Sequence, residues 1–176
     1  MMAIGAYVNI IKSLTEREFC KHHPHPVMLH EATDPLQPTE DTEGETIDRL
    51  FISRGPDGEP VLTRTYGPTG PGQLYTVYVL KPARSSTLSI GCSARCEIQI
   101  NDQSLSKIHA LFEAREGRFF LCDNGSTSGT RINDELLRTR EWSEVASGDR
   151  ISLGTVELTF LPAENFYRLV RRLFID

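Results

Sequence analysis

Ser106, Lys107 and His109 put a hydroxyl, an ammonium and an imidazole within four consecutive residues. A second run, Asp123-Asn124-Gly125-Ser126-Thr127-Ser128-Gly129-Thr130, adds hydroxyls and glycine-rich backbone. Two chemistries suit such a set. A serine close to a histidine is the start of a nucleophilic pair, but no third group to orient the imidazole and no oxyanion motif accompanies it, so catalysis is not expected. Anion binding is the other, because a phosphate dianion needs several converging hydroxyl, amide and cationic donors. Cys92 and Cys96 could form a redox pair or ligate a metal, yet Cys96 lies just before the strand-like run Glu97–Ile100 and reads as a small packing residue, as does Cys122. Cys20, His22, His23, His25 and His30 fall within eleven residues. Their spacing matches no tetrahedral zinc pattern and the prolines between them stiffen the run. A solvated histidine-rich turn is the expectation there, with a metal-dependent protein as the weakest alternative and no cofactor implied.

The elements that must position these residues are short strands. From Leu74 onward, "LYTVYVL", "TLSIG", "CEIQI", "HALFEAR", "RFFLCD", "TRIN", "DRISLG" and "VELTFL" alternate or run apolar, separated by Gly, Asn, Asp and Ser. Glu116-Gly117 and Asn133-Asp134 are tight-turn candidates. Many short strands at even spacing predict a sandwich or barrel whose rim loops carry the polar residues. After Pro162 the period changes. Phe166, Leu169, Val170, Leu173 and Phe174 share one face of a short helix, with Arg168, Arg171 and Arg172 mostly off it.

Ahead of the strands, residues 3–20 can form a helix with Ile4, Val8, Ile11 and Leu14 roughly on one face. Residues 31–48 hold seven acids and no Lys or Arg, with two prolines, which predicts a disordered acidic linker. "RLFISRGPDGEPVLTRTY" reads as a hairpin around Gly55-Pro56-Asp57-Gly58, and the "GPTGPGQ" run marks the main boundary. The expected organisation is an extension over 1–66, the sandwich over 67–162 and a helix over 163–176.

The order and spacing of four motifs resembles the forkhead-associated (FHA) domain, a reader of phosphothreonine peptides. They are Ile90-Gly91-Cys92-Ser93, Ser106-Lys107-Ile108-His109-Ala110, the Asp123–Thr130 run and Gly148-Asp149-Arg150-Ile151-Ser152-Leu153-Gly154. The resemblance covers roughly residues 74–162 and implies an all-β, eleven-strand sandwich with a helical N-terminal extension and a short C-terminal helix. It also implies that Ser106, Lys107, Thr127 and Ser128 face a phosphopeptide. His109 would hold the loops together, and Gly91, Gly125 and Gly129 would supply unusual backbone angles.

Two positions depart from the family pattern. Cys92 stands where the family has arginine, and Ser128 where it has asparagine. A charge-assisted hydrogen bond contributes about 1.5–3 kcal/mol, so losing both groups costs about a hundredfold or more in affinity. Arg95, on the same loop, is the candidate substitute. The expected function is therefore a non-enzymatic interaction module, in bacterial Ser/Thr kinase signalling, with weakened or lost phosphate binding. The alternative is a phosphate-independent scaffold or self-association module. Its partner would be a phosphothreonine-containing or unmodified protein, or its own N-terminal segment through Thr33, Thr39, Thr42 or Thr46, which lie among carboxylates.

Composition narrows the setting. The net charge of −5 includes no basic stripe, which argues against nucleic acid. Hydrophobic residues make up 39%, and no run approaches the ~20 apolar residues that cross a bilayer, which argues against a membrane protein. The first residues lack a basic start and a long apolar block, and four scattered cysteines do not make a disulfide framework. A cytoplasmic location is expected.

Overall fold

The structure, a computed structural model, describes residues 2–32, 49–54, 60–65, 74–82 and 86–174. The N-terminal helical stretch is broken in two, α1 (Ile4–Ser13) and α2 (Glu16–His22), rather than running through as one helix. Thr15 breaks it. Its hydroxyl accepts from the Glu18 amide at 3.4 Å, while the Glu18 carboxylate accepts from the Thr15 amide at 2.9 Å, a reciprocal cap that favours a new helix start over continuation. After His23 the chain extends through Pro24 and Pro26 into a strand, so only part of the histidine-rich run is a turn.

Two sheets face each other. One has the order β1 (Met2–Ala3), β5 (Leu74–Val79), β2 (Val27–Ala32), β14 (Val156–Leu161), β13 (Arg150–Leu153), β10 (Thr130–Ile132), β11 (Glu135–Leu136). The other has the order β12 (Trp142–Val145), β9 (Arg118–Asp123), β8 (Ala110–Arg115), β6 (Thr87–Gly91), β7 (Ile98–Gln99). Eleven of these strands, β2 and β5 to β14, make the sandwich, and β1 adds a short edge pair. A separate hairpin joins β3 (Arg49–Arg54) to β4 (Pro60–Thr65). Glu116 and Gly117, and Asn133 and Asp134, have positive φ, the geometry of the tightest hairpin turns.

Two apolar cores hold the layers. Leu88, Ile90, Phe112, Leu121, Ile151, Leu158 and Phe160 fill the space between the sheets. A second core lies on the outer face of the larger sheet. There Tyr7, Ile11 and Phe19 of α1 and α2 meet Phe166, Tyr167 and Val170 of α3 (Ala163–Phe174) over Val27, Leu29 and Val77. The C-terminal helix thus docks on both the sandwich and the N-terminal helices. Coverage on two faces explains why "VML" and "VYV" run apolar without alternation: Met28 and Tyr78 point to the first core, and Val27, Leu29 and Val77 to the second.

The boundary expected at residue 67 does not match the sheet. Strand β2 lies before it, yet is hydrogen-bonded between β5 and β14. Ala32 pairs with Leu74, so residues 33–73 are a long connection between two adjacent antiparallel strands. The expected linker over residues 31–48 is corrected at its start, where Glu31 and Ala32 belong to β2, and its remainder, with the four threonines, lies outside the described residues. No helix among the described residues is long and apolar enough to cross a membrane.

Candidate functional site

The chemistry-bearing loops converge at one end of the sandwich. Strand β6 ends at Gly91, where the backbone passes tight against the next loop. The Cys92 amide donates to the Ser106 carbonyl at 3.1 Å and the Ser93 amide to the Lys107 carbonyl at 3.2 Å. A Cβ on Gly91 would fall against the carbonyl oxygens of Lys107 and Ser106, 2.8 Å from the latter. The expectation of an unusual backbone angle here is corrected: Gly91 is not among the positive-φ glycines, and close approach is what demands glycine. Gly125 and Gly129 do have positive φ, 75° and 80°.

His109 is fully buried between the loops. Its Nδ1 accepts from the Ser106 amide at 3.1 Å, so the proton sits on Nε2, which donates to the Gly129 carbonyl at 3.1 Å. Burial lowers the imidazole pKa, outweighing the raising influence of the Gly129 carbonyl and Asp123. Both ring nitrogens are occupied by backbone, which ties the Ser106 loop to the Gly129 loop.

Asp123 organises the second loop. Its carboxylate accepts from the amides of Gly125 (2.9 Å) and Ser126 (3.2 Å) and from the hydroxyls of Ser126 (2.5 Å), Thr130 (2.8 Å) and Thr139 (3.3 Å). Burial raises its pKa, but these hydrogen bonds more than offset that and hold it below the usual carboxylate range. The Ser126 hydroxyl in turn accepts from the Gly129 amide at 3.0 Å. Sequence reasoning missed Asp123, although an aspartate ahead of Gly-Ser is an Asx-turn pattern.

Ser106 and Thr127 are brought together: the Thr127 amide donates to the Ser106 hydroxyl oxygen at 3.0 Å. Among the described residues, neither the Ser106 O–H nor the Thr127 hydroxyl donates to another protein group. Ser128 is turned to the neighbouring loop, its hydroxyl donating to the Ser104 carbonyl at 2.9 Å. Ser104 is itself locked by Asp102 (2.6 Å) and Thr155 (2.9 Å). Lys107 and Arg95 are exposed, and neither has an ion-pair partner among the described residues. The Cys92 side chain is half-buried against the inter-sheet core.

The remaining candidates lie apart from this rim. The Cys96 thiol donates to the Lys107 carbonyl at 3.1 Å, and burial pushes its pKa up, away from the reactive thiolate. His23 stacks on Phe19 with ring centroids 4.8 Å apart, and His30 lies on β2 beside Tyr78. Among the described residues no three His, Cys, Asp or Glu side chains converge as metal ligands, and the four cysteines are free.

Known proteins resemble this chain over the rim. Residues 88–154 match the FHA domain model. The chain is 36% identical over 80 residues to an oxoglutarate dehydrogenase inhibitor of Corynebacterium glutamicum, covering 44% of this chain and 54% of that protein. It is 33% identical over 75 residues to the glycogen accumulation regulator GarA of Mycolicibacterium smegmatis, covering 43% and 46%. It thus spans about half the length of the curated relatives it matches. An FHA domain of an Arabidopsis thaliana protein overlaps 78% of this chain and 86% of its own at 21% identity, with a TM-score of 0.48. The matched stretch, residues 88–154, spans every rim loop from Gly91 to Gly154 and is similar to the FHA domain.

Proposed function

We propose that this protein is an interaction module whose rim loops bind a threonine-phosphorylated segment of a partner protein, with lower affinity than an arginine at position 92 would give. Ser106 and Thr127 donate hydroxyls to the phosphate, and Lys107 and Arg95 supply its counter-charge. Ser128 lies beside the peptide backbone. The observation that carries this reading is the interlock of Ser106, His109 and Thr127, which fixes two hydroxyls on loops that also carry the exposed Lys107 and its neighbouring-loop counterpart Arg95. A hydroxyl that accepts one hydrogen bond is polarised to donate another, and the buried His109 fixes the geometry beforehand.

Binding rather than catalysis fits a histidine with both nitrogens engaged by backbone. A cytoplasmic setting, where a Ser/Thr kinase would supply the phosphate, suits four free thiols. Relatives named as an enzyme inhibitor and as a regulator are in keeping with a module that acts by contacting another protein. The intramolecular partner is favoured by one feature of the topology. Ala32 and Leu74, which bracket residues 33–73, lie at the Gly154 end of the sheet, the end that carries the rim. A phosphorylated threonine in that connection would reach the rim at high effective concentration. A phosphate-independent scaffold is the competing reading, favoured by the inward packing of Cys92.

The test is affinity for a phosphothreonine peptide library and its unphosphorylated match, with wild type and Cys92→Arg. Phosphate-dependent binding by wild type, tightened about tenfold or more in Cys92→Arg, is expected. Equal affinity for both peptide forms would establish the scaffold reading instead.

A further inference from the structure

Ile108 and Leu136 are the large apolar side chains left open among the described residues, 43% and 57% exposed. One such residue on a surface needs no explanation. Their shared location does. Ile108 lies between Lys107 and His109, and its carbonyl accepts from the Asn124 side-chain amide at 3.5 Å. Leu136 sits on β11, across from Arg131 of β10. Its neighbour Leu137 packs on the core, so Leu136 itself points outward. It lies so close to the other loop that a Cβ on Gly129 would fall 2.8 Å from its Cδ1. Ile108, through its backbone, adjoins the Asn124 end of the Asn124–Gly129 loop and the Leu136 side chain adjoins its Gly129 end, so the two residues flank the loop that carries Thr127 and Ser128.

We infer that Ile108 and Leu136 are specificity-determining residues, and that the partner segment carries a large apolar side chain (Leu, Ile, Met or Phe) beside its phosphothreonine. The inference rests on the phosphopeptide reading above and names its sequence class. Charge complementarity fixes the occupant: Lys107 and Arg95 lack ion-pair partners among the described residues, so the surface presents cations flanked by apolar contacts. That combination fits an anionic group followed or preceded by an apolar side chain. It does not fit an acidic stretch, which would desolvate carboxylates against Ile108 and Leu136. Without a phosphate-gripping arginine, apolar contact supplies a larger share of the affinity.

Oriented phosphothreonine peptides, degenerate on both flanks, are tested against wild type, Leu136→Ser and Ile108→Ser, with melting curves to confirm folding. Wild type is expected to select an apolar residue at one flanking position, and replacing that residue by serine in the peptide weakens binding about tenfold. Each protein variant should lose this preference while keeping dependence on phosphate. Phosphate-dependent binding without an apolar preference, or a preference unchanged in both variants, overturns the inference and leaves the phosphopeptide reading intact. If wild type binds no phosphopeptide, Cys92→Arg is screened in its place. Restored binding with apolar selection would support the inference, and restored binding without it would overturn it. Silence from both proteins overturns the phosphopeptide reading and this inference with it.

Discussion

At the scale of single residues, the rim is organised by two buried polar groups. His109 and Asp123 each satisfy several loop donors or acceptors, so removing either leaves buried backbone polar groups unpaired, at about 1–3 kcal/mol per group. His109→Ala is therefore expected to lower unfolding free energy by about 2–4 kcal/mol in urea titration, and to loosen Ser106 and Gly129 together. The same residue gives stability a pH dependence. Its pKa is depressed in the folded protein, so the unfolded chain takes up a proton first as pH falls. Its contribution is complete above about 6.5, the ordinary histidine value, and declines below it. His30 and His25 are depressed by burial too and act in the same direction. Urea titrations at pH 7.5 and 5.5 should show lower stability at 5.5, with a smaller drop in His109→Gln. Much of this rim was legible in the sequence, because Ser106, His109 and the glycine-serine loop have local spacing. Asp123 was not, because its role depends on the depth at which β9 places its carboxylate. The reason for Gly91 was missed as well, since close approach to Lys107 is a contact between loops distant in sequence.

Among elements, most strands were readable from their apolar runs, β5 included although it is covered on both faces, and β2 was hidden. Strand β2 is the instructive case. "VML" shows no alternation, follows two prolines and sits in a histidine-rich run, yet it is a central strand because helices cover its second face. The break between α1 and α2 was likewise masked by an apolar period continuing across Thr15. Helix α3 was visible from its 3.6-residue period, but its partners were not. Phe166 is fully buried among Tyr7, Phe19 and Tyr167, and Phe166→Ala is expected to cost about 3–5 kcal/mol by cavity creation. Gly91→Ala should cost about 1–3 kcal/mol by overpacking against the Lys107 and Ser106 carbonyls, and should weaken phosphopeptide binding because it pushes those loops apart. Calorimetric melting of the two variants checks both values, and a Gly91→Ala protein with wild-type melting and binding would contradict the packing account of that glycine.

For the whole molecule, a strand from ahead of residue 67 lies inside the larger sheet and the helices pack over it, so the sandwich and its flanking helices are expected to unfold together. A fragment beginning at residue 67 lacks the strand between β5 and β14 and should fail to give a cooperative melt. Replacing residues 33–73 by an Asn-Gly turn joins strands already paired at Ala32 and Leu74, and should leave the sandwich folded. Opposite outcomes for those two proteins would move the domain boundary back towards residue 67. Phosphate recognition by the rim is read residue by residue in amide chemical-shift mapping of the full chain, titrated with a phosphothreonine peptide and its unphosphorylated twin. Phosphate-dependent shifts are expected at residues 92–95, 106–109 and 125–129, and are expected to be abolished in Ser106→Ala. Shifts confined to other surfaces, or identical for the two peptides, would contradict phosphate recognition by the rim.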